Sequence, residues 1–307
     1  MGSPPQNIDP GARDRLTARF GREVEVWFDE LPAVLTTLAE RWGFELGPPI
    51  PRGSVSTVFR CQLAEGRRAV LKASPDRTRL TMEARALSAW RGPHTPSVIA
   101  FDEPLGALLI EDIEPGTPLI DASAYPPMET VAELLASLHE TGVPHAAYPT
   151  LEQRVDALFN SSMQLYERHP ELTAVVALDA YERERSLAVR LAQDDAPDVL
   201  LHGDLTPSNV LDGGSERGLV AIDPAPCLGD PAFDAIDVVL WRADDLETIE
   251  ARIEGLASLT DVNPERLLAW CSAFAGMNAL ELSSQGSSSR TRIETLRRLA
   301  AQADAAG

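Results

Sequence analysis

Cysteine is scarce and basic charge is in deficit, and each shortage removes a class of protein. Three cysteines in 307 residues, Cys61, Cys227 and Cys271, stand far apart in apolar contexts. Their number and spacing argue against a disulfide framework or a zinc site and for small buried hydrophobes in a reducing cytosol. Lys and Arg total 27 against 47 Asp and Glu, a formal net charge of −20. Such a surface repels nucleic acid and anionic membranes, so neither is expected as a partner. It concentrates cations, a cationic small molecule among them, although an acidic surface also serves solubility alone. No apolar run approaches the roughly 18 residues of a membrane span. The start, Met1-Gly2-Ser3-Pro4-Pro5-Gln6, has no apolar signal segment, and Gln6 fails the requirement for myristoylation. The expectation is a cytoplasmic monomer or homodimer.

What is present begins with 44% hydrophobic residues, enough for one large domain or two lobes. Residues 1–11 are rich in Pro and Gly and are expected to fray. From Arg13 to Phe44 the pattern is helical, with Trp27, Leu31, Val34, Leu35, Leu38 and Trp42 on one face and Gly47-Pro48-Pro49 as a stop. Strand-like runs follow at Ser56–Leu63 and Arg68–Ala73, joined by a turn at Ala64-Glu65-Gly66. A helix over Arg79–Trp90 and a second strand pair, Val98–Asp102 and Ala107–Ile110, complete this part. Glu111 to Gly116 ends the sheet. Beyond it the chain reads as helices over 127–140, 151–167, 171–193, 246–258, 264–282 and 291–303, with a small strand-loop-strand insertion at 199–223.

That insertion carries the chemistry. Leu200-Leu201-His202-Gly203-Asp204 leads to Asn209, and a β-run, Leu219-Val220-Ala221-Ile222, ends in Asp223. The order His-x-Asp-x4-Asn, then a strand ending in Asp, is what kinase-type phosphoryl transfer needs. Asp204 is the candidate base for a substrate hydroxyl; Asn209 and Asp223 are candidate ligands of Mg2+ bridging the phosphates of ATP. Either fragment alone is an ordinary turn; together, in this order and strand context, they favour the functional reading.

Lys72, in Ala69-Val70-Leu71-Lys72, is the phosphate-binding candidate, and Glu83 on the next helix is a suitable partner to orient it. The competing readings are a solvated strand-end Lys and an ordinary surface Glu. Gly53-Ser54-Val55-Ser56-Thr57 is the candidate loop over the phosphates, with Ser54 and Ser56 as donors. It has one Gly rather than three, and an ordinary polar hairpin turn competes with it. Ile110–Ile113 offers backbone groups to an adenine edge, with Glu111 and Ile113 as contacts. His139 reads as a hydrogen-bonded core residue, and Asp234 and Asp237 as braces of the catalytic loop. Acceptor contacts are expected from Ser208, Trp241, Trp270, Asn278 and Glu281, although Trp at helical spacing is more often core. The layout is α+β and bilobal, a protein-kinase-like fold: a small β-rich lobe at 1–112 and a larger, mostly helical lobe at 113–307.

These motifs carry a family resemblance. "LLHGDLTPSNVL" and "GLVAIDPAPCLGDPAFDAIDVVLW" resemble the catalytic and metal-binding signature of the aminoglycoside phosphotransferases. The wording is most similar to the branch holding streptomycin 6-phosphotransferase and hydroxyurea phosphotransferase, as is the leading "RFGREVEVWFDELPAVLTTLAERWGFELG". The resemblance implies ATP-dependent O-phosphorylation of a small-molecule hydroxyl with Asp204 as base, Asn209 and Asp223 on Mg2+, and Lys72 on the α- and β-phosphates. His-Gly-Asp in place of His-Arg-Asp, no Ala-Pro-Glu, and a short link from Asp223 to Gly229 argue against a protein substrate. Thr206-Pro207-Ser208 departs from the His-rich or acidic residues usual in that branch, so the acceptor question falls there. The leading expectation is an antibiotic kinase conferring resistance or self-protection. A metabolic kinase for an amino sugar, a choline-like alcohol or hydroxyurea shares every catalytic residue. A nucleotide-binding pseudokinase regulator would not need them intact.

Overall fold

The computed structural model describes residues 10–51, 55–140, 147–194, 196–286 and 289–304, and the chain divides into two compact units, Met1–Gly116 and Thr117–Gly307. Most of the N-terminal stretch expected to fray lies outside the described residues. Pro10 and Gly11 instead open a helix.

The first unit has two leading helices, α1 (Pro10–Phe20) and α2 (Val24–Trp42), and five strands, β1 (Phe44–Ile50), β2 (Thr57–Leu63), β3 (Arg68–Ala73), β4 (Val98–Asp102) and β5 (Ala107–Glu111), with α3 (Arg77–Ala89) between β3 and β4. The strands form one antiparallel sheet in the order β1-β2-β3-β5-β4. Two expectations need correction. The single helix over 13–44 is two, because Gly21 adopts a left-handed φ of 75° and its N–H closes onto the Thr17 carbonyl, ending α1. Gly47-Pro48-Pro49 does not merely stop a helix but lies within β1. A strand at the sheet edge tolerates proline, and the register slips between Leu46 and Pro49. The buried face of α2 is Val24, Phe28, Leu31, Leu35 and Leu38. Trp27, Val34 and Trp42, placed on that face by spacing, are only partly buried against it. This face packs with Phe59, Leu71 and Leu109 of the sheet in one cluster.

The second unit comprises β6 (Thr117–Pro118), α4 (Met128–His139), α5 (Leu151–Arg168), α6 (Leu178–Gln193), β7 (Val199–Leu201), β8 (Val210–Asp212), α7 (Gly214–Arg217), β9 (Leu219–Ala221), β10 (Cys227–Gly229), α8 (Ile236–Leu240), α9 (Leu246–Leu259), α10 (Pro264–Ser284) and α11 (Arg290–Ala300). The helix expected over 171–193 is shortened. A 3-10 turn at Pro170–Ala174 precedes α6, and the Tyr166 hydroxyl donates to the Val176 carbonyl at the break. Asn263 caps α10, accepting from the Arg266 N–H at 2.9 Å. α10 is buried on nearly every side, and its Phe274 meets Phe159 and Phe233 at ring-centroid distances of 5.4 and 5.5 Å.

Two small antiparallel sheets, β7 with β10 and β6-β8-β9, hold the segments that carry Asp204, Asn209 and Asp223. They set the loop after β7 beside the loop after β9. The Ile222 N–H donates to the Asn209 carbonyl at 2.8 Å, and the Ala225 N–H to that of His202 at 2.9 Å. All three cysteines are free and buried, as their contexts imply; burial pushes the Cys61 thiol up to about 12. Among the described residues no helix is long and apolar enough to cross a membrane.

Candidate active site

The loop after β7 is built around Gly203, whose φ is 73° and whose Cβ, had it one, would lie 2.2 Å from the Ala225 carbonyl oxygen. Only glycine fits both conditions. His202 is fully buried. Its Nε2 lies 2.9 Å from the Ile222 carbonyl oxygen, and its Nδ1 accepts from the Asp204 N–H at 3.3 Å, a pattern that assigns the neutral tautomer protonated on Nε2. Burial lowers its pKa in the same sense. One imidazole thus ties Asp204 to the residue before Asp223. Beneath them the Asp234 carboxylate accepts from the His202 and Gly203 N–H groups at 2.8 and 2.9 Å, and lies 3.1 Å from His139 Nε2. Burial alone would raise the Asp234 carboxyl, but the hydrogen bond and charge of His139, with the Gly203 N–H, hold it below the usual range.

Asp204 is half-buried, and its carboxylate is held from two directions. Arg154 of α5 donates to the Gly203 carbonyl at 2.7 Å and to Asp204 Oδ1 at 3.1 Å. Asn209 Nδ2 donates to the Asp204 carbonyl at 2.9 Å and to Oδ2 at 3.1 Å. With its amide hydrogens so engaged, the atom Asn209 has left to offer is its side-chain oxygen. Asp223, next to Ile222 at the end of the β9 run, has a left-handed φ of 58° despite its side chain. A non-glycine residue in that region is strained, and such strain clusters where a side chain is aimed for function.

On the other side of Asp204 a pocket opens, lined by Gly203, Thr206, Asp237, Phe274, Asn278 and Glu281 among others. Burial, then the charge of Asp204, pushes the Asp237 carboxyl up to about 6, against a hydrogen bond from Asn278 and the charge of Arg154. Glu281 keeps an exposed flank, yet the surrounding protein, followed by Asp237 and Asp204, pushes it up to about 7. Four acids, Asp204, Asp234, Asp237 and Glu281, line one pocket, and Arg154 pairs with the first of them.

Two of the acceptor candidates belong elsewhere. Trp270 is fully buried, meets Phe233 edge-on with ring centroids 5.4 Å apart, and donates its indole N–H to Asp230 at 2.6 Å. Trp241 is buried beside Tyr125, ring centroids 5.9 Å apart. Both are core, because α8 and α10 turn these faces inward. Ser208 is exposed, its hydroxyl 2.9 Å from that of Thr206. Asn278 and Glu281 do line the pocket. Of the two expected braces, Asp234 on the 3-10 turn Pro231–Ala235 accepts from the loop's N–H groups, while Asp237, in the first turn of α8, takes a hydrogen bond from Asn278; both line the pocket.

In the first unit, Lys72 lies on β3 opposite Val58 and Leu108, and it forms an ion pair with Glu83 of α3. Both are buried, at 3% and 4% exposure. Strand alternation gives Leu71 to the α2-facing core and Lys72 to the other face, under α3. Burying two charges costs several kcal/mol each, which pairing only offsets, so such a pair is a poor device for stability and a good one for fixing a cation. Ser54 lies outside the described residues. Ser56 is buried where the loop rejoins β2, and Ser74 donates to the Val55 carbonyl at 2.8 Å. Glu111 spends its own N–H on the Ser97 carbonyl at 3.0 Å and its carboxylate on the Ser97 N–H at 3.1 Å. Ile113 is buried just beyond.

Sequence reasoning missed Arg154. An Arg on an amphipathic helix carries no local sign that it will meet a carboxylate in a distant loop. For Asp237 the sign was present: a third acid in "DPAFDAID" at a spacing different from the first two.

Sheet-plus-helix architecture and an Asp-Asn-Asp constellation define a phosphotransferase of the protein-kinase-like fold. The chain belongs to the family described as aminoglycoside/hydroxyurea antibiotic resistance kinase, which matches residues 41–286. It is 31% identical to a hydroxyurea phosphotransferase of Kitasatospora aureofaciens, over 87% of this chain and 76% of that one. To a streptomycin 6-kinase of Streptomyces glaucescens it is 27% identical, over 85% and 86%. Among solved structures, choline kinase LicA from Streptococcus pneumoniae superposes with a TM-score of 0.61 at 14% identity, covering 89% of this chain and 98% of that one; LicA has also been solved with AMP.

Proposed function

We propose that this chain transfers the γ-phosphoryl group of ATP to a hydroxyl of a small, cationic antibiotic. The observation that carries the reading is Asp204, held by Arg154 and Asn209, at the mouth of a pocket it shares with Asp237 and Glu281. The acceptor hydroxyl hands its proton to Asp204 as its oxygen forms the new P–O bond and ADP leaves. Asn209 and Asp223 would hold Mg2+, and the donors fit: hard oxygens from one amide and one carboxylate, with phosphates and water completing the shell. Among the described residues no group of three His, Cys, Asp or Glu is placed to hold a metal, and this arrangement needs none. When bound, the ion neutralises charge on the phosphates. Lys72, kept in place by Glu83, contacts the α- and β-phosphates. The Glu111 carbonyl and the Ile113 backbone meet the adenine edge.

The acidic pocket favours a guanidinium- or ammonium-bearing acceptor over neutral hydroxyurea, although a hydroxyurea phosphotransferase is a relative. The decisive experiment is coupled ADP release against streptomycin, other aminoglycosides, hydroxyurea, amino sugars and choline-like alcohols, with product NMR on each hit. Turnover of streptomycin that disappears in Asp204→Ala supports the reading. Turnover of hydroxyurea alone overturns the cationic acceptor, and turnover that survives in Asp204→Ala overturns the base.

A further inference from the structure

We infer that Arg242 is a positioning residue for the loop between Asp204 and Asn209, acting through the backbone of Ile120–Ala122. Arg242 follows α8 with a left-handed φ of 53°, a conformation glycine adopts at no steric cost and arginine does not. Its guanidinium lies 4.6 Å from the centre of the Trp241 ring and donates to the Ala122 carbonyl at 2.5 Å and to that of Ile120 at 3.4 Å. The Ile120 N–H in turn donates to the Pro207 carbonyl at 2.9 Å.

The segment so gripped borders the catalytic loop twice. Just before Ile120, Thr117 and Pro118 pair with Asp212 and Leu211 of β8. The strap therefore touches the chain on both sides of Asn209. The Ile120 side chain is 41% exposed, so apolar burial does little to hold the segment and its backbone bonds must. The far end is anchored. Arg252 donates to the Val239 and Trp241 carbonyls at 2.7 and 2.6 Å and lies 3.7 Å from the centre of the Tyr125 ring, while the Tyr125 hydroxyl donates to the Val238 carbonyl at 3.1 Å. Arg242 thus joins a fixed frame to Thr206-Pro207-Ser208, the stretch that departs from the branch's usual residues. Thr206 lines the pocket beside Asp204.

This inference rests on Asp204 as the base, and the test separates the two. Arg242→Gly tolerates the left-handed backbone without strain and removes the side chain with its guanidinium. Hydrogen–deuterium exchange needs no acceptor and is read first: faster exchange at the Ile120 amide and across 204–209, with α10 unchanged, is expected. With streptomycin as acceptor, kcat should fall about tenfold to a hundredfold, as small misplacements of reacting groups do, while Mg-ATP affinity and Tm stay near wild type. Arg242→Lys should be intermediate, and millimolar guanidinium chloride should restore part of the activity of Arg242→Gly. Unchanged exchange at Ile120, or a loss shared equally by Tm and Mg-ATP affinity, overturns the inference. Full activity in Asp204→Ala, run in parallel, overturns instead the reading on which it rests.

Discussion

Asn209 turns its side-chain amide onto Asp204, donating to that residue's backbone carbonyl at 2.9 Å and to its carboxylate at 3.1 Å. One side chain therefore shapes the loop that holds the proposed base and keeps an oxygen for the proposed Mg2+. Asn209→Ala removes both at once: kcat should fall by roughly 10²- to 10³-fold and the Mg2+ concentration for half-maximal rate should rise. Asp204→Asn removes proton acceptance alone; kcat should fall by about 10²- to 10⁴-fold with Mg-ATP affinity preserved. Steady-state kinetics over a Mg2+ series, with calorimetric nucleotide titrations, distinguishes the two.

The buried Lys72–Glu83 pair sets stability against function. Lys72→Met takes from the buried Glu83 the cation it is paired with, which should cost about 3–5 kcal/mol. Adding Glu83→Leu removes the stranded charge and should recover most of that loss, yet the double variant stays inactive. Urea unfolding of wild type, single and double variants checks this. A double variant as unstable as the single one contradicts it.

Gly203→Ala forces a Cβ to within 2.2 Å of the Ala225 carbonyl at a φ of 73°. Left-handed strain of about 1–3 kcal/mol adds to the displacement of fixed backbone. Tm should drop by several degrees, and the displaced loop should lose transfer activity further than stability alone accounts for. Differential scanning calorimetry with kinetics well below Tm reads both.

Asp237, at about 6, and Glu281, at about 7, give the proposed acceptor pocket a pH dependence of definite sign. Both lie above their ordinary values of 3.8 and 4.5, so the folded protein holds extra protons between about pH 4 and 7, and its stability declines as pH rises through that window. A cationic acceptor reverses the preference. Asp204 and Asp234 oppose ionisation of Asp237 and Arg154 favours it, and a bound cation adds to the second side. The KM for streptomycin should fall as pH rises from about 5.5 to 8, and Glu281→Gln should raise KM at pH 8 and flatten the profile. A KM independent of pH in the wild type would remove the cationic role of these carboxylates.

The parts legible in the chain are those whose causes are local. His202, Gly203, Asp204 and Asn209 fall within one loop, and the run before Asp223 is continuously apolar with turn residues around it. The β2–β3 hairpin and the Asn263 cap are likewise short-range, as is the apolar face that makes α2 a core helix. The small sheet lobe, the helical remainder and the phosphotransferase class follow from them. Where the local signal was ambiguous it misled: Gly21 inside a long amphipathic pattern gave no warning of a helix break, and Pro48-Pro49 hid an edge strand.

What tertiary structure alone decided is which distant groups meet. Arg154 reaches Asp204 across 50 residues of chain, Asp234 reaches His202 across 32, and Trp270 gives its indole N–H to Asp230 across 40, which takes it out of the acceptor site. Asp234 and Asp237 are three residues apart and alike in sequence, but a 3-10 turn ends between them, so one accepts from the His202 and Gly203 N–H groups and the other from Asn278. Hydrogen bonds and charge act over a few ångströms of space and are indifferent to separation along the chain. The residues that could do the chemistry were therefore readable in order, and packing chose those that stand beside them.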